Sequence, residues 1–240
     1  MAHEIVLIGF YLLTLVYSVI IHEVSHGVVA LWLGDLTAKY ADRLNLNPLK
    51  HIDPFGSVLL PLLLVVTTGF AFGWAKPVPY NPYNLRDQKW GPVWVALAGP
   101  ASNFLLATLA ALLAKILPLT LLAKADILER FIGVIGGQGE FFDRFGLLAE
   151  ALSGSLANVF FGLFLLVIFW NVVLGCFNLL PIPPLDGSKL LYAFVPLGEQ
   201  TIFFLERFGL FLLLFIVLFL STPISMFINF VLSLFLRFAL

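Results

Sequence analysis

The most reactive pattern in the chain is the run His22-Glu23-Val24-Ser25-His26. Two histidines four residues apart lie on the same face of a helix, so both imidazoles can bind one metal ion. Glu23 is turned by about 100° from His22, where a carboxylate can take a proton from water without itself binding the metal. The run therefore predicts a hydrolytic zinc site with His22 and His26 as ligands and Glu23 as general base.

The position of this run in the chain strengthens the prediction. Residues 5–34 form an apolar segment long enough to cross a bilayer, and the run lies about 15 Å from the C-terminal end of that segment. An ionisable side chain in hydrocarbon is costly unless it is paired or ligated, and a divalent cation supplies the compensation. The alternative is that these side chains hydrogen-bond within a helix bundle or line a path for protons or ions.

A second group of polar residues follows a break in a later apolar segment. Three prolines within residues 181–184 end the helix, and Asp186 is the only carboxylate in residues 151–198. A catalytic zinc ion needs a third protein ligand, and Asp186 is the natural candidate. Asn178 is a candidate donor to a developing oxyanion. The alternative for Asp186 is a cap on a short helix beginning at Gly187.

The composition predicts a membrane protein. Of the 240 residues, 61% are hydrophobic and 11% are charged, and the mean hydropathy is +1.03. A water-soluble domain is usually about 45–50% apolar and about 25% charged, so most of this surface must face lipid. The net charge of −1 gives no reason to expect a nucleic acid partner. The single cysteine, Cys176, excludes an intramolecular disulfide and a cysteine-based zinc cluster.

Apolar segments of suitable length predict about six membrane-spanning helices. They are residues 5–34, 57–72, 92–117 and 155–180, and two helices within 201–240 that are divided near Pro223. Residues 73–90 contain three prolines and predict an extended or hairpin-like loop, while residues 119–154 predict an amphipathic segment at the membrane surface. The predicted fold class is an all-α polytopic membrane protein with a re-entrant or hairpin loop and a broken helix near the metal site.

These features together resemble the site-2 protease family of intramembrane zinc metalloproteases. The resemblance covers residues 22–187 and is specific, because four motifs occur in the order that the family shows. The motifs are His22-Glu23-Val24-Ser25-His26, Gly73-Trp74-Ala75-Lys76-Pro77-Val78, Ala98-Gly99-Pro100-Ala101-Ser102-Asn103, and Asn178-Leu179-Leu180-Pro181 through Leu185-Asp186-Gly187.

The resemblance implies that His22, His26 and Asp186 bind one Zn²⁺ per chain. It implies that Glu23 is the general base and that Asn178 helps to hold the substrate peptide or the tetrahedral intermediate. The substrates implied are single-span or tethered membrane proteins, cleaved within the lipid bilayer in regulated intramembrane proteolysis.

Other residues are expected to have roles outside the catalytic chemistry itself. The segment around Lys76 resembles the re-entrant segment of the family, which could pair with an unwound substrate as an added strand. The alternative is an ordinary connecting loop. Gly99, Pro100 and Asn103 are expected to serve helix packing and to support the residues around the metal, rather than to take part in the chemistry directly. His51 is expected to lie at the membrane interface and not to bind metal.

Residues 1–240 are expected to form one membrane-embedded peptidase domain, with a catalytic core at about 5–200 and C-terminal helices at about 201–240. No segment suits the PDZ or CBS domains of larger family members, so substrate choice is expected to rest on the membrane core. We expect a multi-pass protein of a prokaryotic cell membrane. A metal-ion or proton transporter would need several binding positions along a path, and an inactive scaffold would be expected to lack a ligand or the base.

Overall fold

The computed structural model describes residues 2–59, 62–63, 66, 73, 75–137 and 141–240, which are largely helical and contain no strand. The helices of this part of the chain are, in order, α1 (Ala2–Trp32), α2 (Thr37–Tyr40), α3 (Pro48–His51), α4 (Gly91–Ile116), α5 (Leu121–Gly136), α6 (Phe141–Leu152), α7 (Leu156–Asn178), α8 (Gly187–Phe194), α9 (Glu199–Phe219) and α10 (Ser221–Ala239). A π-helical segment at Pro54–Leu59 follows α3, and one 3₁₀ turn at Pro82–Asn84 precedes α4.

Five helices of the described residues are long and apolar enough to cross a membrane: α1, α4, α7, α9 and α10. Each coincides with a predicted span to within a few residues. Most of the second predicted span, residues 57–72, lies outside the described residues. The prediction of an all-α polytopic membrane protein is confirmed, and five of its expected spans are present.

Prolines interrupt the helices where the sequence indicates. Residues 75–81 form no helix, because Pro77 and Pro79 lack the N–H that a helix requires. The only regular structure that follows before α4 is the single 3₁₀ turn. The chain also leaves its helical path after Asn178, turns through a cis Pro183–Pro184 peptide bond, and resumes at α8. The predicted loop and the predicted broken helix are therefore both present.

Within the predicted amphipathic segment, residues 121–136 and 141–152 form the helices α5 and α6, which pack against each other. Both helices are amphipathic. Ile127 and Phe131 on α5 and Phe145 and Leu148 on α6 are almost completely buried. The charged residues of this segment are mainly on the exposed side, and neither helix is among the five apolar spans. The amphipathic character is as predicted, and the position at the membrane surface stays a prediction.

The chain divides into two compact units. The first consists of Met1–Ser18, Asn103–Cys176 and Leu220–Leu240. Its core is formed mainly by apolar side chains of α4, α5, α6, α7 and α10, and Cys176 is buried among them.

A buried polar triad lies within this first unit and joins α1, α4 and α7. The side-chain amide of Asn103 donates to Oδ1 of Asn171 at 2.8 Å, and the amide of Asn171 donates to Oγ of Ser18 at 2.9 Å. All three residues are at most 3% exposed. In lipid the hydrophobic effect does not drive helices together, so hydrogen bonds of this kind help to determine which helices pack against each other. Asn103 thus has the packing role expected from its sequence.

The second unit consists of Val19–Ser102 and Phe177–Phe219. It contains all five residues predicted to form the site: His22, Glu23, His26, Asn178 and Asp186. The functional site can therefore be described within this unit alone.

Candidate metal centre

Three of the five predicted site residues converge in the second unit. Nε2 of His22 lies 3.1 Å from Oδ2 of Asp186, and Nε2 of His26 lies 3.4 Å from the same oxygen. Taking one ligand atom from each residue, all three atoms lie within 4.8 Å of one another. The segments that carry them, α1 and the turn before α8, are far apart in the sequence.

The helix α1 positions the two histidines. They are one helical turn apart, and their rings are nearly perpendicular, at 87°, with centroids 4.7 Å apart. His22 is buried and His26 is half-buried. A single helix therefore presents two imidazole nitrogens to one point, as their spacing predicts.

Asp186 reaches the histidines because the chain returns tightly after α7. A Cβ atom at Gly187 would lie 2.3 Å from the carbonyl oxygen of Leu179 and 2.4 Å from that of Leu180. Only glycine allows this approach. Asp186 directly precedes α8, yet its side chain makes no capping hydrogen bond. The helix-cap alternative is therefore wrong, since the carboxylate lies against the two imidazoles instead.

The donor set fits a zinc ion. Ligand atoms about 2.0–2.1 Å from a tetrahedral zinc are about 3.3 Å apart, close to the two separations found here. Oδ2 of Asp186 is buried and has no hydrogen bond of good geometry with the described residues, although two imidazole nitrogens are near it. A shared cation satisfies this oxygen and both nitrogens together.

A hydrogen bond to the main chain determines which ring nitrogen of His26 carries the proton. Its Nδ1 lies 2.6 Å from the carbonyl oxygen of Val95 on α4. Because a carbonyl only accepts, Nδ1 carries the proton and donates it. In the neutral imidazole this leaves the Nε2 lone pair available on the side of Asp186. Metal-binding histidines are commonly oriented by such a second hydrogen bond.

Gly99 on α4 lies directly against both histidines. A Cβ atom at this position would be 2.5 Å from Cε1 of His22, 2.5 Å from Nε2 of His26 and 2.6 Å from Nε2 of His22. Gly99 was expected to serve helix packing, and the structure adds that the space it leaves is occupied by the two ligand-bearing rings. Its role is steric, because it brings no donor of its own.

We expect the substitution Gly99→Ala to weaken zinc binding by about 10–100-fold, because the added methyl must displace the imidazoles. The measurement is a zinc titration of the purified protein against a chelator of known affinity. Gly9→Ala on α1 is a suitable control, since nothing lies within 4 Å of its new Cβ atom. Unchanged zinc affinity in Gly99→Ala would show that the two rings have room to shift.

Glu23 is held by the loop that precedes α4. Its Oε2 accepts a hydrogen bond of 3.0 Å from the main-chain N–H of Val78. Val78 is buried against α1, where a Cβ atom at Gly27 would lie 2.8 Å from its Cγ1. A hydrogen bond from a fixed main-chain donor gives the carboxylate a defined orientation.

The start of this loop is fixed through both main-chain polar groups of Lys76. The N–H of Lys76 donates to the carbonyl of His51 at 2.9 Å, and Nη2 of Arg43 donates to the carbonyl of Lys76 at 2.6 Å. Arg43 and His51 are both buried. The ring of His51 lies 2.8 Å from the carbonyl of Asn45, and its expected position at the membrane interface stays a prediction.

Asp35, which sequence reasoning missed, fixes the end of the loop. Its buried carboxylate accepts hydrogen bonds from the main chain of Thr37 at 3.1 Å and of Asn81 at 2.7 Å, and from the side chain of Asn84 at 2.9 Å. Burial by itself raises the pKa of Asp35, but these hydrogen bonds hold it below its usual range. The only sign of this role in the sequence is an aspartate two residues before the threonine that begins a helix. This spacing is common in turns.

Tyr80 is a second residue that the sequence did not single out. Burial raises the pKa of its hydroxyl, and the nearby carboxylates of Glu206 and Asp186 raise it further. The hydroxyl therefore stays protonated at neutral pH and can donate a hydrogen bond. Tyr80 belongs to the same loop as Val78, and its ring packs against Ala30, Leu85 and Val95.

Asn178 is the last residue of α7 and is half-buried. The close approach of Gly187 to the carbonyls of Leu179 and Leu180 puts Asp186 beside the end of this helix. The predicted role of Asn178 as an oxyanion donor stays a prediction.

Comparisons with known proteins agree with this site. A family model described as peptidase family M50 matches residues 10–220. YwhC of Bacillus subtilis (strain 168), assigned as a zinc metalloprotease, is 34% identical over 195 residues, which cover 81% of this chain and 73% of YwhC. Rip2 of Mycolicibacterium smegmatis, with the same assignment, is 35% identical over 92 residues, 38% of this chain and 34% of Rip2. No solved structure is a significant match.

The chain belongs to peptidase family M50. It is an intramembrane zinc metalloprotease, and regulated intramembrane proteolysis is the role of this family. The resemblance, the enzyme class and the zinc cofactor predicted from the sequence are confirmed.

Proposed function

We propose that His22, His26 and Asp186 bind the catalytic zinc and that Glu23 is the general base. The observation that carries this proposal is the convergence of one Asp186 oxygen with Nε2 of both histidines, at 3.1 and 3.4 Å. Two imidazoles and a carboxylate leave one position of a tetrahedral zinc ion for water or substrate, as in other zinc hydrolases. Asn178 is proposed to donate a hydrogen bond to the oxyanion of the tetrahedral intermediate.

Each side chain of the site has a separate role in peptide hydrolysis. Zinc, when bound, lowers the pKa of water toward neutrality and polarises the scissile carbonyl. Glu23 accepts the proton of the attacking water and passes it to the leaving amine, which needs a carboxylate held in one orientation. The hydrogen bond from Val78 supplies that orientation. His22 and His26 keep their Nε2 lone pairs toward the centre throughout.

We propose that the substrates are transmembrane segments of single-span or tethered membrane proteins. A helical segment must unwind before it is cut, because its carbonyls are otherwise hydrogen-bonded within the helix. Residues 75–81 form no helix and lie next to Glu23 through Val78, so they could pair with an unwound segment as an added strand. Their attachment at Arg43, His51 and Asp35 gives this loop the rigidity that such pairing requires.

We further propose that residues 1–240 act as one membrane-embedded peptidase domain, with residues 5–200 as the catalytic core and residues 201–240 as C-terminal helices. The protein is an integral membrane protein, and its bacterial relatives support a place in the cell membrane of a prokaryote.

Removal and return of the metal tests this function. Purified, reconstituted protein is expected to contain one zinc per chain and to cut a single-span substrate within its membrane segment. A chelator should abolish cleavage, because the water is then no longer activated, and Zn²⁺ but not Mg²⁺ should restore it. The measurements are metal analysis and mass spectrometry of the cleavage products. A chelator saturated with zinc is the control, and full cleavage by metal-free protein would contradict the proposal.

A further inference from the structure

Glu206 is a carboxylate within an apolar membrane span. It is the eighth residue of α9, roughly 10 Å from the start of the helix. An ionisable side chain at such a position is costly unless it is paired, and it commonly marks a functional site. Its partner is Lys189 on α8, with which it forms an ion pair. The catalytic chemistry proposed above makes no use of either residue.

A second contact joins α9 to the turn between α7 and α8. A Cβ atom at Gly209 would lie 2.7 Å from Cβ of Pro183 and 2.8 Å from the carbonyl oxygen of the same residue. The main chain of α9 therefore lies directly against the main chain of the turn. Any side chain larger than hydrogen at position 209 would push the two apart, since a main-chain atom cannot rotate away.

These two contacts lie on either side of Asp186. Pro183 comes three residues before Asp186 in the sequence, and Lys189 comes three residues after it. Glu206 and Gly209 are themselves three residues apart, so they lie on one face of α9.

The same face of α9 continues to Leu213, which is 3% exposed. Most of the other large side chains of this helix are exposed, as expected in contact with lipid, and Phe211 and Phe215 are examples. Gly209 and Leu213 are thus the residues of α9 that pack within the unit, while Glu206, on the same face, is exposed and contacts the unit through its ion pair with Lys189.

The ammonium group of Lys189 is also fixed from its own helix. Its Nζ lies 5.3 Å from the centre of the Tyr192 ring, within the range of a cation–π contact. Lys189 is therefore held between an aromatic ring on α8 and a carboxylate on α9.

We propose that Glu206 and Gly209 are positioning residues for the metal centre, and that α9 holds Asp186 at the histidines through them. This inference rests on the proposed role of Asp186 as the third zinc ligand. Two anchor points, one before and one after the aspartate, fix the main chain of the short segment that carries it. Partners that orient a metal ligand commonly change metal affinity by about 10–100-fold when they are removed.

The test measures zinc affinity of the full-length purified protein, by competition with a chelator, together with the melting temperature of the zinc-free protein. Glu206→Gln and Gly209→Ala are each expected to weaken zinc binding by about 10–100-fold. The exchange of charges, Lys189→Glu with Glu206→Lys, is expected to restore most of the affinity lost in Glu206→Gln. Such recovery would not occur if the substitution merely disturbed the fold.

Two matched controls accompany these variants. Glu199→Gln makes the same chemical change at an exposed carboxylate on the same helix, and Gly133→Ala adds a methyl where nothing lies within 4 Å. Both should bind zinc like the parent protein. Zinc affinity within about twofold of the parent in both Glu206→Gln and Gly209→Ala would overturn the inference. So would a folded charge-exchange variant that binds zinc no better than Glu206→Gln.

Failure of this inference can be told from failure of the proposed function. If the parent binds zinc and Asp186→Asn does not, while Glu206→Gln binds normally, the metal site stands and only the role of α9 is wrong. If the parent binds no zinc, or Asp186→Asn binds it as tightly as the parent, the metal site proposed above is itself wrong.

Discussion

The substitution Glu23→Gln should leave zinc bound and reduce the rate of peptide cleavage by about 10²–10⁴-fold, the usual contribution of a general base. Glutamine keeps the size of the side chain and can still accept a hydrogen bond from the N–H of Val78, so the loop should stay in place. It cannot take a proton from water. The measurement is single-turnover cleavage of a reconstituted single-span substrate, with the zinc content of the same sample determined in parallel.

Glu129→Gln is the matched control for this prediction, because it makes the same change at an exposed position on α5. It should cleave at the parent rate. Cleavage by Glu23→Gln at a rate similar to the parent would exclude Glu23 as the base. Loss of zinc from Glu23→Gln would instead indicate that this carboxylate contributes to metal binding.

The second large effect is expected from Gly187→Ala. The new methyl would lie 2.3 Å from one main-chain carbonyl oxygen and 2.4 Å from another, so the turn must open and Asp186 must move away from the histidines. We expect a loss of about 3 kcal/mol in the free energy of unfolding, and about 100-fold weaker zinc binding. Thermal unfolding and chelator competition measure the two effects.

Gly198→Ala provides the comparison, since its Cβ atom meets nothing within 4 Å and it lies in the connection between α8 and α9. It should behave like the parent in both measurements. If Gly187→Ala also kept the parent zinc affinity, the close approach of the turn to the end of α7 would not be what brings Asp186 to the site.

The parts of the site that could be predicted from the sequence depend on local rules. His22 and His26 share a face because the helix repeats every 3.6 residues, whatever the rest of the fold does. Asp186 was recognisable because a carboxylate after a proline-broken helix is unusual in so apolar a chain. The same hydropathy rules predicted the five spans that the described residues contain.

The parts that could not be predicted depend on contacts between distant segments. The hydrogen bond of His26 to Val95 joins residues 69 positions apart, and that of Glu23 to Val78 joins residues 55 positions apart. In both cases the partner is a main-chain group of a valine, and the valine side chain gives no indication of this role. Glycine at position 99 is equally compatible with ordinary helix packing, and only the position of the two imidazoles reveals why a side chain does not fit there.

The hydrogen bonds of Asn171 have a consequence for the order in which the chain is assembled during synthesis. Its amide finds Asn103 on α4 and Ser18 on α1, and both helices are made before α7 leaves the ribosome. Within α7 the amide of Asn171 donates only to the carbonyl of Val167, at 2.9 Å, and polar groups left unpaired in lipid carry a penalty of several kcal/mol. We therefore expect α7 to join α1 and α4 as it is inserted, so that a ribosome-bound chain ending shortly after α7 already contains this three-helix contact.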